Sequence, residues 1–278
     1  MAINNYGIFY VTVGEGTEKS CLHSIASLRR YCSYPIKILS DRNFSINMEN
    51  ITIEIIKPRD YEIRWGIRNG DYFRLVALRD SPYDASLYLD NDHLIVSPRI
   101  LDGFEIAKNF GMAIPMNSRV FLDLELKIGK DISNDDRDEL SSAPKSLTDL
   151  DCGVTFYSHR SRTLLLAWLE EMERRPCTGP IALARAIWRT KQYPYILPYN
   201  WRVETPQTGI KNPIIVHLGH PHVKDFYEGN LPLWLWRIIW AVQDIHEKNY
   251  KKYLKAKAIF LGFVKKQLEW IFPAFKKT

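Results

Sequence analysis

The stretch "SLYLDNDHLIVSP" (residues 86–98) runs strand-like residues into Asp90-Asn91-Asp92 and then returns to an apolar strand. Just upstream, residues 70–79 have a helical pattern, and Ser81-Pro82-Tyr83-Asp84 breaks it. The segment therefore reads as a helix, a turn and a strand that carries two acids at its C-terminal end. In open α/β sheets ligands sit beyond such strand ends. Side chains two apart on extended chain share a face, so the two carboxylates repel unless something relieves them. A divalent cation, a neighbouring basic residue or simple exposure in a turn would each do so. Hard cations such as Mg²⁺ or Mn²⁺ take oxygen ligands and complete their shell with water and substrate phosphates.

Outward from this segment the pattern is that of an α/β protein. Tyr6 to Val13 is a β-branched and aromatic run ending in Gly14-Glu15-Gly16, and a helix is expected from Thr17, as N-cap, to about Tyr31. "IKILSD" (36–41) and "ITIEII" (51–56) read as short apolar strands covered on both faces, as in a parallel sheet. From about Gly111 to Leu150 the periodicity dissolves around "DISNDDRDEL", which predicts either a surface loop or a lid over an acceptor. "CGVTFYS" resumes a strand, helices are expected over 162–174 and 181–190, and a last strand over 213–222.

The composition, 46% apolar and 25% charged in 278 residues, is enough to bury a sizeable core. The four cysteines at 21, 32, 152 and 177 have neither metal-type spacing nor a CxxC pair, and read as reduced, mostly core residues of a cytoplasmic protein. The N-terminal run lacks a basic leader and cleavage site, so it reads as a first strand rather than a signal peptide. No run is apolar enough to span a bilayer, since "LPLWLWRIIWAV" is broken by Arg237. The net charge of +6 is concentrated at one end: residues 231–278 hold ten Lys/Arg against three acids. The same segment holds Trp234, Trp236, Trp240 and Trp270 and, from Leu254 to Ile271, apolar residues at helical spacing. The chain thus divides into a domain over 1–230 and a basic, Trp-rich helical extension over 231–278. The extension either packs on the domain or docks on an anionic membrane surface, which would make the protein peripheral. No recognition motif accompanies the charge, so nucleic acid is not an expected partner.

Several segments together resemble the GT-A glycosyltransferases, the glycogenin and family 8 group in particular. "SPYDASLYLDND" (81–92), with Arg74 upstream, is similar to the metal-binding Asp-x-Asp segment of that family. "FYVTVGEGTEKSCLHSIASLRRY" (9–31) resembles its opening strand and helix, "LDCGVTFYS" (150–158) its Asn-x-Gly-Val segment, with Asp151 in place of Asn, and "IIVHLGH" (214–220) its His-x-Gly element. "ALARAIWRTKQYPYILPYNWRV" (182–203) is similar to its late helix and following turn.

The resemblance implies a GT-A, Rossmann-like, mostly parallel sheet flanked by helices. It implies Mn²⁺ or Mg²⁺ held by Asp90, Asp92 and His217, and a nucleotide sugar, UDP-linked, contacted by Val11, Thr12, Val13, Arg74, Asn91, Gly219 and Lys224 along with the acid pair. Arg74 would meet the donor phosphates or organise the acids. The implied activity is hexosyl or pentosyl transfer to a glycan or lipid-linked glycan. The His-x-Gly element belongs to the retaining families; if the enzyme instead inverts, Asp149 and Asp151 are the candidate bases. The family's Asp-Gln at the start of the late helix is replaced by Gly179-Pro180, and its Lys after His-x-Gly has only Lys224 nearby. A non-catalytic nucleotide- or glycan-binding role on the same scaffold is the alternative.

Overall fold

The computed structural model describes residues 5–14, 16–58, 69–121, 148–174, 179–204 and 212–217, all within one compact unit. The segment 122–147, Gly219, Lys224 and the extension 231–278 lie outside the described residues.

The chain runs β1 (Tyr6–Thr12), α1 (Thr17–Leu28), β2 (Ile36–Ser40), β3 (Ile51–Ile55), α2 (Asn69–Arg79), β4 (Ala85–Leu89), β5 (His93–Ile95), α3 (Asp102–Phe110), β6 (Met112–Phe121), β7 (Thr148–Leu150), β8 (Val154–Tyr157), α4 (Arg162–Arg174), α5 (Gly179–Thr190), β9 (Tyr195–Leu197), β10 (Val203–Glu204) and β11 (Ile215–His217). The main sheet has the order β3-β2-β1-β4-β8-β6-β7, with β9 paired to β6. β1 pairs in parallel with β2 on one side and β4 on the other, while β8 lies antiparallel to β4. Strand order therefore reverses at β1 and β4, and a crevice opens beyond their C-terminal ends. A small second sheet, β10-β11-β5, closes one flank of that crevice.

Period-two alternation sorts the core onto the two sheet faces. Along β1, Phe9 and Val11 join α2, α4 and α5 through Leu75, Leu78, Leu164, Trp168 and Ile181. Ile8 and Tyr10 join α1 and α3 through Cys21, Ile25, Leu28 and Phe104. The expected reduced, buried cysteines are found at Cys21 and Cys152, with Cys32 half-buried. No helix among the described residues is long and apolar enough to cross a membrane.

Three local expectations are corrected. Thr17 does not cap α1; the cap is Gly16, in the left-handed region at φ 82°, and the Thr17 hydroxyl donates to the Gly14 carbonyl at 2.8 Å. The helix ends at Leu28 rather than Tyr31, because the chain tightens there and the Tyr31 amide bonds to the Leu28 carbonyl. Among the described residues β3 is an edge strand with one neighbour, β2, and is half exposed rather than covered on both faces. A fourth correction concerns the irregular stretch after Gly111: residues 112–121 form β6, whose Pro115 lies beyond the short pairing with β8 at Met112 and Ala113 and instead aligns with β9.

Candidate active site

The loop after β4 is pinned to its neighbours by the backbone. The Asp90 amide donates to the Gly153 carbonyl at 2.8 Å, and the His93 amide to the Asp90 carbonyl at 3.3 Å. Asn91 reaches across to β1, donating to the Val11 carbonyl at 2.8 Å. The turn thus holds Asp90, Asn91 and Asp92 over a cavity of about 550 Å³ at the crevice. This lies within the usual range for small-ligand sites, roughly 300–1,000 Å³.

One wall is formed by Val11 and Val13 at the end of β1 and by Gly16, Thr17 and Ser20 at the start of α1. The positive end of a 12-residue helix dipole therefore faces the cavity, a setting that favours anions. Thr12, expected to contact a nucleotide with these two, is buried at 1% exposure and lies outside the lining. Among the described residues, the remaining walls carry four carboxylates, Asp71, Asp90, Asp92 and Asp151, and one guanidinium, Arg202.

Asp90 accepts a hydrogen bond from the Tyr88 hydroxyl at 2.6 Å. Burial pushes its carboxyl above the ordinary value, against the opposing pull of Arg74. Asp92 faces the second sheet. Its Oδ2 lies 3.0 Å from His217 Nε2 and its Oδ1 3.4 Å from His93 Nδ1. His217 stands opposite His93 in the β11–β5 register, and the two rings stack at 4.9 Å. One oxygen of Asp92 and one nitrogen of each histidine all lie within 4.8 Å of one another, close enough to share one cation. Asp90 is outside this group. Gly153 lets the side chains converge: a Cβ there would lie 2.5 Å from Asp90 Oδ2, 2.8 Å from His93 Cε1 and 3.0 Å from Asp151 Oδ1.

Arg202 joins the two halves of the site. Its Nη2 donates to His217 Nδ1 at 2.5 Å and pairs with Asp151 Oδ2 at 2.9 Å. Asp151 also accepts the Gly153 amide at 2.9 Å. Guanidinium only donates, so His217 accepts at Nδ1 and carries its proton on Nε2, toward Asp92.

Arg74, a candidate phosphate ligand, is 1% exposed and does not line the cavity. It donates to the Cys152 carbonyl at 2.9 Å and to Asp71 Oδ1 at 2.8 Å, and lies 5.3 Å from the ring centroids of both Tyr88 and Trp168. Arg74 thus sits behind the acidic wall, paired with one of its carboxylates. Asp149, a candidate base, is likewise buried on β7, where it accepts from Asn117 at 2.9 Å, and is not part of the cavity wall. Sequence reasoning passed over three residues that the fold brings in: His93, Asp71 and Arg202. His93 directly follows the acid pair, which was the one available signal.

No protein-family model matches the chain, and no curated protein does. Solved structures do resemble it. The bifunctional glycosyltransferase WbbM in its apo form aligns with TM-score 0.55 at 13% identity over 86% of this chain; the chain spans about half of that protein, 52%. An active-site mutant of LgtC aligns with TM-score 0.53 at 11% identity, covering 83% of this chain and 99% of the other. Mouse xyloside xylosyltransferase 1, apo form, aligns with TM-score 0.53 at 12% identity, covering 78% and 98%. The mixed, mostly parallel sheet flanked by helices is thus the GT-A, Rossmann-like fold of glycosyltransferases.

Proposed function

We propose that the protein is a metal-dependent glycosyltransferase that moves a hexosyl or pentosyl group from a UDP-sugar to a glycan or lipid-linked glycan, with retention of configuration. The observation that carries this reading is the charge balance of the cavity. Among the described residues, four carboxylates and one guanidinium line a crevice at the strand-order reversal of a glycosyltransferase fold. A nucleoside diphosphate would be repelled by that wall alone. A divalent cation reverses the sign, and Asp92 with His217 offers it oxygen and nitrogen donors.

The nucleoside would lie along Val11 and Val13, with its diphosphate toward the start of α1 and toward Arg202. Asn91 holds the β1 end and the acid turn in register through the Val11 carbonyl. Bound at Asp92 and His217, the ion would stabilise charge growing on the leaving diphosphate. Arg202 can turn from His217 to the same phosphates, adding a positive charge beside the leaving group. Asp90 adds negative charge beside the ion site. Retention is supported by the state of the two expected bases: Asp149 lies off the cavity wall, and Asp151 is tied to Arg202 and to the Gly153 amide.

Gly219 and Lys224 would complete the phosphate side. The basic extension 231–278 would bring the enzyme to lipid-linked acceptors at an anionic membrane. Flotation with anionic liposomes checks this: the full chain should float and a chain ending at residue 230 should not, whereas equal behaviour would contradict it. The reading as a whole is tested by a thermal-shift screen of nucleotide sugars. Stabilisation by a UDP-sugar only in the presence of Mn²⁺ supports it; no response to any nucleotide would contradict it. Metal-dependent binding without turnover would identify a binding protein on this scaffold.

A further inference from the structure

We propose that His93 is a nitrogen ligand of the cation, so that Asp92, His93 and His217 form a two-histidine, one-carboxylate centre that prefers a first-row transition cation to Mg²⁺. The inference rests on the proposal above that the cavity takes a cation, and it assigns a ligand that neither the Asp-x-Asp nor the His-x-Gly pattern contains.

Three observations on His93 carry it. First, the imidazole is fully buried, at 0% exposure. Its Nδ1 faces two oxygens that can only accept, the Asp90 carbonyl at 3.3 Å and Asp92 Oδ1 at 3.4 Å. The ring proton therefore sits on Nδ1, and Nε2 presents a bare lone pair. Second, that Nε2 has no hydrogen-bond partner among the described residues. A buried acceptor without a donor is unfavourable, and a cation would satisfy it. Metal-bound histidines have this arrangement, with the second ring N–H given to a carbonyl or carboxylate. Third, the β5–β11 register sets His93 directly across from His217, stacked at 4.9 Å and within the same 4.8 Å ligand group as Asp92. Opposed residues on paired strands share a face, so the backbone fixes the two imidazoles together.

The ion preference follows from the donors. Mg²⁺ demands near-ideal octahedral oxygen coordination, whereas imidazole suits transition cations, whose affinity for mixed nitrogen and oxygen sites rises from Mn²⁺ toward Cu²⁺.

The test uses the full chain and the metal alone. Pulsed EPR of bound Mn²⁺ should show couplings from two directly bound nitrogens, and His93→Phe, which keeps a ring against His217, should remove one. Calorimetric affinity for Mn²⁺ should fall about tenfold or more in His93→Phe and in His93→Gln, with little change for Mg²⁺. A single bound nitrogen in the unaltered chain would overturn the proposal, as would two nitrogens persisting in His93→Phe, and the first of these needs no variant to fold. The two readings fail separately. Mn²⁺ held by two nitrogens without turnover of any UDP-sugar would sink the transferase reading alone, and turnover with one bound nitrogen would sink this one alone.

Discussion

Gly179 leaves room for Arg74: a Cβ at position 179 would lie 2.3 Å from Arg74 Nη2 and 3.2 Å from Asp71 Oδ1. The guanidinium cannot swing aside, because it is fully buried and bonded to Cys152 and Asp71. Gly179 thus coincides with a buried arginine placed against the start of α5, and its carbonyl accepts from Trp168 Nε1 at 2.9 Å.

Gly179→Ala should therefore destabilise the protein by about 1–3 kcal/mol through overpacking. Urea denaturation measures it. Arg74→Met should itself cost about 3 kcal/mol, because it strips the partner from Asp71 and from the Cys152 carbonyl. In the Arg74→Met background the added cost of Gly179→Ala should largely vanish, since the two share one contact. Additive losses would show that the contact is not what makes glycine necessary.

A cation bound at His217 would compete with Arg202. Nδ1 accepts from Arg202 while Nε2 carries the proton, so ligation through Nε2 requires the proton to leave and the arginine to turn away. Arg202→Met should then bind Mn²⁺ several-fold more tightly in the absence of donor, and bind UDP more weakly in the presence of Mn²⁺. Calorimetry of each ligand checks both directions. Weaker Mn²⁺ binding in the variant would contradict this account of the pairing.

Cys21 and Cys152 should resist alkylation in the native protein. Burial pushes both thiols well above their ordinary value, and the thiolate is the reactive form. Raising the pH from 7 to 9 should label half-buried Cys32 ahead of both, as read by peptide mass mapping. Rapid native labelling of Cys152 would mean that the loop beneath Asp90 opens readily.

The acid pair and its strand were legible because an apolar β4 running into Asp90 and Asp92 obeys local rules. The alternation along β1 and the helices around 70–79 and 162–174 were equally local. What sequence spacing does not contain is strand register. His93 is one residue past the acids, yet only the pairing of β5 with β11 sets it against His217. Arg74 is a candidate through the resemblance, which does not say whether a side chain faces the cavity or the core behind it. β6 was lost because Gly111, Pro115 and Asn117 interrupt its pattern, although tertiary pairing with β7, β8 and β9 overrides those local preferences. Residue type alone makes Asp149 a candidate base, and it is buried on β7 away from the described cavity wall.

Metal-dependent sugar transfer at Asp92 can be measured as UDP release from a panel of UDP-sugars with and without Mn²⁺. Release should require Mn²⁺ and fall about a hundredfold or more in Asp92→Ala, with that variant still folded. Release that persists unchanged after chelation of metal, or in Asp92→Ala, would contradict it.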